Sequence, residues 1–162
     1  MKERVIIRVD DRFIHGQVIE GWIKYFKIKN VIILDDVIAS DSLQKMIYSN
    51  ILPSDCSVTF LSVKEFLKGY QIYIGKLTLI IVGSVSVLNE VKSLINGDFY
   101  VNVGCVASRE HKIEITDTVF LDIDEIKMLN DIRERCNVHI KKLPWETSVE
   151  IKNFYHFLED NV

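Results

Sequence analysis

The chain has 162 residues, of which 48% are hydrophobic and 27% are charged. This length and balance are those of one globular domain, and they exclude a disordered chain, a collagen-like repeat and a coiled coil. The net charge is −3, from 20 basic and 23 acidic residues, and the basic residues form no arm or stripe. The chain therefore lacks the basic surface that is typical of nucleic-acid-binding proteins.

The cysteines and the apolar runs indicate the compartment. Cys56, Cys105 and Cys136 are an odd number without C-x-x-C spacing, so we expect neither a disulfide framework nor a zinc knuckle. No apolar run approaches the ~18 residues of a membrane span. We therefore expect a cytoplasmic protein in which residues 1–162 form a single domain.

Five short β-branched runs predict the strands of a sheet. Several of them are apolar without alternation, which is typical of parallel strands that are covered on both faces. The runs occupy residues 4–9, 30–34, 57–61, 76–82 and 99–103.

Six segments follow the helical period, and the apolar set of each would line one face of a helix. These segments occupy residues 18–26, 43–51, 63–70, 87–95, 123–132 and 151–158. Four have a capping acceptor with Glu or Gln three residues later, namely Asp41-x-x-Gln44, Ser62-x-x-Glu65, Asp122-x-x-Glu125 and Thr147-x-x-Glu150.

Two later segments break the alternation of strand and helix. Residues 112–115 alternate, 116–118 can turn, and 119–121 are apolar again, which predicts short strands with at least one antiparallel or edge pairing. Val138 and Ile140 alternate with polar residues before Pro144 and predict a half-exposed edge strand. The chain is therefore predicted to be an α/β protein: a three-layer open, mainly parallel sheet with helices on both faces and an antiparallel edge element.

The loop after the first strand is the densest reactive cluster of the chain. In an open α/β sheet, ligands bind beyond the carboxyl ends of the strands. Within eight residues this loop contains a guanidinium, an imidazole, two carboxylates and a glycine, in the order Asp10-Asp11-Arg12-Phe13-Ile14-His15-Gly16-Gln17. A loop of this kind is also compatible with helix capping and a surface ion pair, in which case its histidine is structural.

The chemistry that this loop favours is phosphoryl transfer. His15 lies just before a helix start, where free N–H groups and the helix dipole favour negative charge and a neutral, nucleophilic imidazole. Arg12 offers a fork of donors that matches phosphate oxygens. Asp10 is a candidate for orienting the ring or for holding Arg12, and the sequence does not divide the roles of Asp10 and Asp11.

Other loops carry weaker signals. Asp35-Asp36 and Ser40-Asp41 indicate helix capping and a solvated turn, and Ser84, after Gly83, is either a helix cap or a phosphate contact. G-x-G-x-x-G, G-x-x-x-x-G-K-[ST] and G-x-S-x-G patterns are absent, which disfavours nicotinamide, P-loop and α/β-hydrolase chemistry. A receiver domain is disfavoured because the third strand ends Phe60-Leu61-Ser62, without an acceptor aspartate.

Residues 8–18 resemble the active-site signature of the IIB component of mannose/fructose/sorbose-class sugar phosphotransferase systems (PTS), which usually reads R-I-D-D-R-L-I-H-G-Q-V. Residues 35–41 and 101–104 also resemble segments of that family. Phe13 replaces the family's Leu, and Cys105-Val106 stand where Gly-Met is common. The second difference affects only the detail of the loop at residues 105–106 and the preference for a sugar or a partner.

The resemblance implies a protein-phosphohistidine–sugar phosphotransferase. By motif position, His15 takes phosphate from a IIA protein and passes it to a sugar that enters through the IIC/IID membrane complex, with Arg12 supporting the phosphoryl group. The expected phosphate loop comprises Asp11, Phe13, Ile14, Gly16, Gln17 and Ser84. No metal, cofactor, nucleotide or nucleic acid is expected, and the length leaves no room for a fused IIA domain. The alternative from another class is a non-catalytic α/β regulatory or partner-binding module.

Overall fold

A computed structural model of the chain describes residues 4–74 and 77–152, and its centre is a six-stranded parallel sheet. The strand order is β3-β2-β4-β1-β5-β8, and β6 and β7 form a separate antiparallel pair. The strands are β1 (Val5–Asp10), β2 (Asn30–Leu34), β3 (Ser57–Leu61), β4 (Thr78–Val82), β5 (Phe99–Cys105), β6 (Ile113–Thr116), β7 (Val119–Leu121) and β8 (Asn137–Ile140).

Helices cover both faces of this sheet. A π-helical segment, Gln17–Ile23, runs directly into α1, and single 3-10 turns follow α4 and α5 at Tyr70–Ile72 and Lys92–Leu94. The α-helices are α1 (Lys24–Phe26), α2 (Asp36–Ser40), α3 (Ser42–Ile51), α4 (Val63–Gly69), α5 (Val85–Glu90) and α6 (Ile123–Arg133). Within the described ranges, no helix is long and apolar enough to cross a membrane.

The core has two layers because alternate residues of each central strand point to opposite faces. One layer joins the strands to α4, α5 and α6, and includes Val9, Phe66 and Leu129. The other joins them to the π-helical segment and α2, and includes Ile6 and Trp22. This architecture confirms the predicted three-layer α/β sheet.

The edge elements also agree with the sequence. The antiparallel pair β6–β7 lies where the alternating segment predicts it, and β8 is an edge strand whose residues alternate in burial. The capping boxes at Ser62 and Asp122 are present, and Asp41 caps α3.

One helix was not predicted by the helical period, and one predicted helix start was wrong. The unpredicted helix is α2, which Asp35 caps by accepting from the N–H groups of Val37 and Ile38, in agreement with its predicted capping role. Thr147 does not begin a helix, because Val149 pairs instead with Ile140 in an antiparallel bridge. Most of the last predicted helix, residues 153–158, lies outside the described residues.

The chain topology places a crevice at the carboxyl end of β1. The helical segment that follows β1 packs on one face of the sheet, whereas α5, which follows the neighbouring strand β4, packs on the other. Connections that leave adjacent strands toward opposite faces open a cleft between them, which is where open α/β sheets bind ligands. The loop of residues 11–16 lies at this position.

Candidate active site

The loop that carries His15 is fixed at its start by two backbone hydrogen bonds. The N–H of Asp11 donates to the carbonyl of Cys105, and that of Phe13 donates to the carbonyl of Asp10, both at 3.1 Å. Phe13 has a left-handed backbone with φ of 55°, which is strained for a bulky residue. Its ring lies against the backbone of Gly83, where a Cβ would come within 2.7 Å of Cζ. The strained loop is therefore held in place by packing against the end of β4.

Beneath the loop lies a buried arginine, Arg8, for which the sequence predicted no role. Arg8 and Asp10 are two apart in β1 and so share a face of the strand, and both side chains are fully buried. Arg8 donates from Nε and Nη2 to Asp10 Oδ2 at 3.1 and 2.8 Å. Its Nη1 donates to Oδ1 of Asn102, the residue directly beside it on β5, at 2.5 Å. The ring of Trp22 lies 5.2 Å from Arg8 Cζ.

Asp10 in turn holds His15. Nε2 of the imidazole lies 2.9 Å from Asp10 Oδ2, and the side chain of His15 is 19% exposed. The backbone N–H of Arg12 donates to the other carboxylate oxygen of Asp10 at 3.2 Å. Arg8, Asp10 and His15 thus form a chain of contacts that begins in the core and ends at the protein surface.

The charge state of Asp10 follows from its partners. Burial acts to raise the pKa of this carboxyl, but the hydrogen bond with His15 and the positive charge of Arg8 outweigh burial and hold the pKa below its usual value. Burial lowers the pKa of Arg8 and Asp10 offsets part of that effect, and an arginine side chain stays protonated in proteins. The pair is therefore a buried carboxylate against a buried guanidinium.

An ionised Asp10 determines which ring nitrogen of His15 carries the proton. A carboxylate only accepts hydrogen bonds, so Nε2 must be the donor of the 2.9 Å contact. In the neutral imidazole the other nitrogen, Nδ1, then bears the lone pair. The geometry leaves Nδ1 as the nucleophilic atom of the ring.

The remaining predicted residues lie around this centre in different environments. Arg12 is 47% exposed, its Nη2 donates to Gln17 Oε1 at 3.1 Å, and its Nε lies 3.7 Å from Asp10 Oδ1. Asp11 accepts from the backbone N–H of Ala107 at 2.7 Å. Ile14 is buried in the core, and Gly16 borders the π-helical segment with open space at its Cβ position.

Ser84 takes the capping role that was one of its two predicted roles. Its hydroxyl accepts from the backbone N–H of Val87 at 3.3 Å at the start of α5. With Asp11, Arg109 and Lys112 it also lines a cavity of about 120 Å³ beside the loop. The structure gives Ser84 a structural partner and brings it near the loop, so a phosphate contact stays a prediction.

Gly104 provides the space that Arg8 occupies. A Cβ at this position would overlap the carbon and both terminal nitrogens of the Arg8 guanidinium. The guanidinium has no alternative place, because Asp10 and Asn102 hold it from two sides. Glycine is therefore required at residue 104 for a steric reason.

We predict that Gly104→Ala destabilises the fold by about 1–3 kcal/mol, as overpacking in a core does. Gly16→Ala is the matched control, since no atom lies within 4 Å of its Cβ position and its φ is −51°. Urea unfolding of both variants measures the difference. Equal unfolding free energies for the two variants would refute the steric role of Gly104.

Among the described residues, one group of three side chains is close enough together to be considered as a metal site. It consists of Cys105, Asp10 and Asp11, whose potential ligand atoms lie within 4.8 Å of one another. Burial, followed by the charges of Asp10 and Asp11, raises the pKa of the Cys105 thiol to about 11. A metal ligand must be the thiolate, and Asp10 already accepts from Arg8 and Arg12 and contacts His15. This donor set suits a hydrogen-bonded network better than a metal.

Arg8, Asn102 and Gly104 are the site residues without a predicted role. One signal was available, because Arg8 lies inside the apolar run of β1, a strand that is buried throughout and ends at Asp10, and a charge there must find a buried partner. Asn102 interrupts β5 in the same way. Their pairing follows from the β1–β5 register, which the sequence does not give.

Comparisons with known proteins agree on one family. The model of a family described as the PTS system sorbose subfamily IIB component matches residues 4–161. The fructose-specific EIIB component of the PTS of Bacillus subtilis (strain 168) is 29% identical over 154 residues, 91% of this chain and 93% of that protein. The mannose-specific EIIAB component of Escherichia coli (strain K12) is 26% identical over 152 residues, 90% of this chain and 46% of that protein, so the chain spans about half its length.

Solved structures share the fold. The crystal structure of manxB from Thermoanaerobacter tengcongensis has a TM-score of 0.83 and 24% identity, with 96% of each chain covered. The IIBSor domain of the sorbose permease from Klebsiella pneumoniae has a TM-score of 0.82 and 21% identity, with 95% of this chain and 97% of that chain covered. The six-stranded sheet with helices on both faces is therefore an architecture shared with solved IIB proteins.

Proposed function

Because the chain belongs to the sorbose subfamily of PTS IIB components, phosphotransferases that work with IIA and IIC partners, we propose that it is a cytoplasmic phosphoryl carrier with His15 as its phosphorylated residue. His15 accepts phosphate from a phosphohistidine on a IIA protein. It passes the phosphate to a sugar translocated by a IIC/IID membrane complex, with which residues 1–162 associate peripherally as one IIB domain.

The observation that carries this proposal is the 2.9 Å contact between His15 Nε2 and a buried, ionised Asp10. It holds one ring nitrogen and leaves Nδ1 to react. The Nδ1 lone pair forms a bond to phosphorus as the P–N bond of the donor phosphohistidine breaks, and the departing electron pair stays on the donor ring. His15 gains positive charge in this step, and the Asp10 carboxylate stabilises that charge, as an aspartate does for a catalytic imidazole.

In the second transfer, the sugar hydroxyl oxygen forms the new P–O bond while the P–N bond to His15 breaks; the electron pair of the P–N bond returns to Nδ1, and the hydroxyl proton passes to solvent. A phosphohistidine supplies the free energy of this step, so the chain needs no nucleotide. Its own contribution is to position the phosphoryl group and to neutralise its charge.

Arg12 is the side chain that we assign to the phosphoryl oxygens. It is half-exposed beside His15, and its fork of donors matches phosphate geometry. We predict that Arg12→Ala folds normally and slows transfer roughly 10- to 100-fold, the loss of one charge-assisted hydrogen bond. Single-turnover rates from phospho-IIA measure this, with Arg12→Lys as the partial rescue. Unchanged rates would remove Arg12 from the mechanism.

Asp10 is assigned the orientation of His15. In Asp10→Asn the charge that stabilises the phosphorylated ring is lost, and an amide can present either a donor or an acceptor to Nε2. We predict a fall in single-turnover transfer of roughly 10²- to 10⁴-fold, the scale seen when such an aspartate is made neutral. Circular dichroism separates the kinetic loss from unfolding. A folded variant with a wild-type rate would contradict the assignment.

The proposal is tested by reconstitution with phosphoenolpyruvate, enzyme I, the histidine carrier protein and a cognate IIA. We expect an acid-labile, alkali-stable phosphoprotein, with the label on the peptide that contains His15. Adding membranes with the IIC/IID complex should move the label to sugar. A stable label that never reaches sugar would instead support a non-catalytic regulatory module, and a label on an aspartate would indicate a receiver domain.

A further inference from the structure

The apolar face of α3 points away from the core. None of the ten residues of this helix is buried, and four large apolar side chains on one face are exposed: Leu43 by 60%, Met46 by 56%, Ile47 by 48% and Ile51 by 43%. We call these four residues the apolar stripe. The half-buried positions of α3 are taken by Gln44, Lys45 and Tyr48 instead, and Lys45 Nζ donates to the carbonyl of Ala39 at 3.0 Å.

The stripe is unusual within this molecule. Soluble proteins expose single apolar residues everywhere, whereas a contiguous apolar face marks an interaction site. On the adjoining helix α2, Val37 is also 67% exposed. The apolar residues that give residues 43–51 their helical period therefore lie on the protein surface, whereas the apolar face of an amphipathic helix usually packs against the core.

The helix that carries the stripe contacts the loop that carries His15. Tyr48, next to Ile47 in α3, packs against Phe13 with a distance of 6.1 Å between ring centroids. Phe13 lies two residues before His15. The helix pair α2–α3 also begins directly after β2, at the same edge of the sheet as the His15 loop, because all strands of the main sheet are parallel. A protein that brings a phosphohistidine into bonding distance of His15 must contact the protein surface around this loop.

We propose that the apolar stripe is the docking surface for the IIA phosphate donor. This inference rests on the proposed function, because it concerns how the donor reaches His15. The stripe itself contains no charged side chain, so the surface that the donor places against it is expected to be apolar. The His15 loop, with the exposed Arg12, completes the contact and meets the phosphoryl group.

A second copy of this chain is the less suitable occupant. Stable interfaces use about 20–30 residues a side, which far exceeds four side chains on one helix. A carrier must also release each partner after transfer, and a small apolar contact allows fast dissociation. The size of the stripe therefore favours a transient partner.

The test compares Met46→Asp/Ile47→Asp with Ile72→Asp. Ile72 is 80% exposed in the 3-10 turn after α4, away from the His15 loop, so it controls for adding a surface charge in place of an apolar side chain. We expect the double variant to lose roughly 10-fold or more in kcat/KM for transfer from phospho-IIA, mainly through KM. Ile72→Asp should match the wild type. Labelling of His15 by phosphoramidate, a donor that needs no docking, should be the same in all three proteins.

The outcomes separate the docking surface from the proposed function. If the double variant accepts phosphate from IIA as fast as Ile72→Asp does, the docking surface is refuted while His15 remains the carrier. If neither IIA nor phosphoramidate labels His15 in the wild type, the proposed function itself fails. The wild type could also sediment as a dimer and the double variant as a monomer, with the same kcat/KM. That result would show that the stripe binds a second copy of this chain, and it would overturn the inference.

Discussion

Replacing His15 by glutamine is expected to abolish phosphorylation of this chain, reducing label transfer from phospho-IIA to background. The reason is chemical. Glutamine has no lone pair of imidazole basicity to attack phosphorus, and the thiol beside Asp10 and Asp11, that of Cys105, has its pKa raised to about 11 by burial first and then by these two aspartates. Asp10, with its carboxylate held by Arg8, is not placed as a substitute acceptor.

The same substitution should leave the fold intact. The glutamine amide can donate to Asp10 as Nε2 of His15 does, and the side chain at this position is partly exposed. Urea unfolding is expected to change by less than about 1 kcal/mol. Label that persists undiminished on the folded variant would show that another residue carries the phosphate.

Replacing Arg8 by methionine is expected to have the largest effect on stability. Arg8 is fully buried and donates to Asp10, Asn102 and the carbonyl of Lys142. Its removal leaves the Asp10 carboxylate buried without a counter-charge, which costs about 3–5 kcal/mol in comparable pairs. Trp22 also loses the guanidinium that its ring contacts. The free energy of unfolding in urea at neutral pH measures this loss.

A double variant isolates the cause. In Arg8→Met/Asp10→Asn the uncompensated charge is absent, so this protein should be more stable than Arg8→Met alone. If both variants lose the same free energy, the loss comes from packing and not from charge. A loss below about 1 kcal/mol in Arg8→Met would refute the buried-pair account.

Acid unfolding checks the sign of the same interaction. Burial acts to raise the pKa of Asp10, but His15 and Arg8 hold it below its usual value. The stability contributed by its ionisation is present above the pKa of the unfolded chain, ~3.9, and is lost as pH falls through the lower pKa of the folded state. In Arg8→Met the folded-state pKa rises, so the acid transition should move to higher pH.

Much of the fold could be predicted because its signals are local. Asn30–Leu34 and Ser57–Leu61 are strands over the predicted residues, since β-branched runs bounded by polar residues admit few other structures. The capping boxes at Ser62 and Asp122 fix helix starts by side-chain geometry within four residues. The loop of residues 10–17 stood out because it concentrates reactive side chains.

The features that could not be predicted depend on contacts between segments that are distant in the sequence. The period of residues 43–51 indicated a helix with one apolar face, but it does not say whether that face meets the core or a partner. Two of the partners of Arg8 lie on β5 and in the segment after β8, 94 and 134 residues away. The capping pattern Thr147-x-x-Glu150 does not begin a helix, because Val149 pairs with the distant strand residue Ile140.

The central claim is that Asp10 holds Nε2 of His15 and that Nδ1 carries the phosphate. The most direct test is a ¹⁵N and ³¹P NMR spectrum of the phosphorylated, ¹⁵N-histidine-labelled protein, in which phosphorus–nitrogen coupling identifies the bonded atom. We expect the coupling at Nδ1 of His15, with Nε2 protonated. Phosphorus bonded to Nε2 would break the contact with Asp10 and contradict the account.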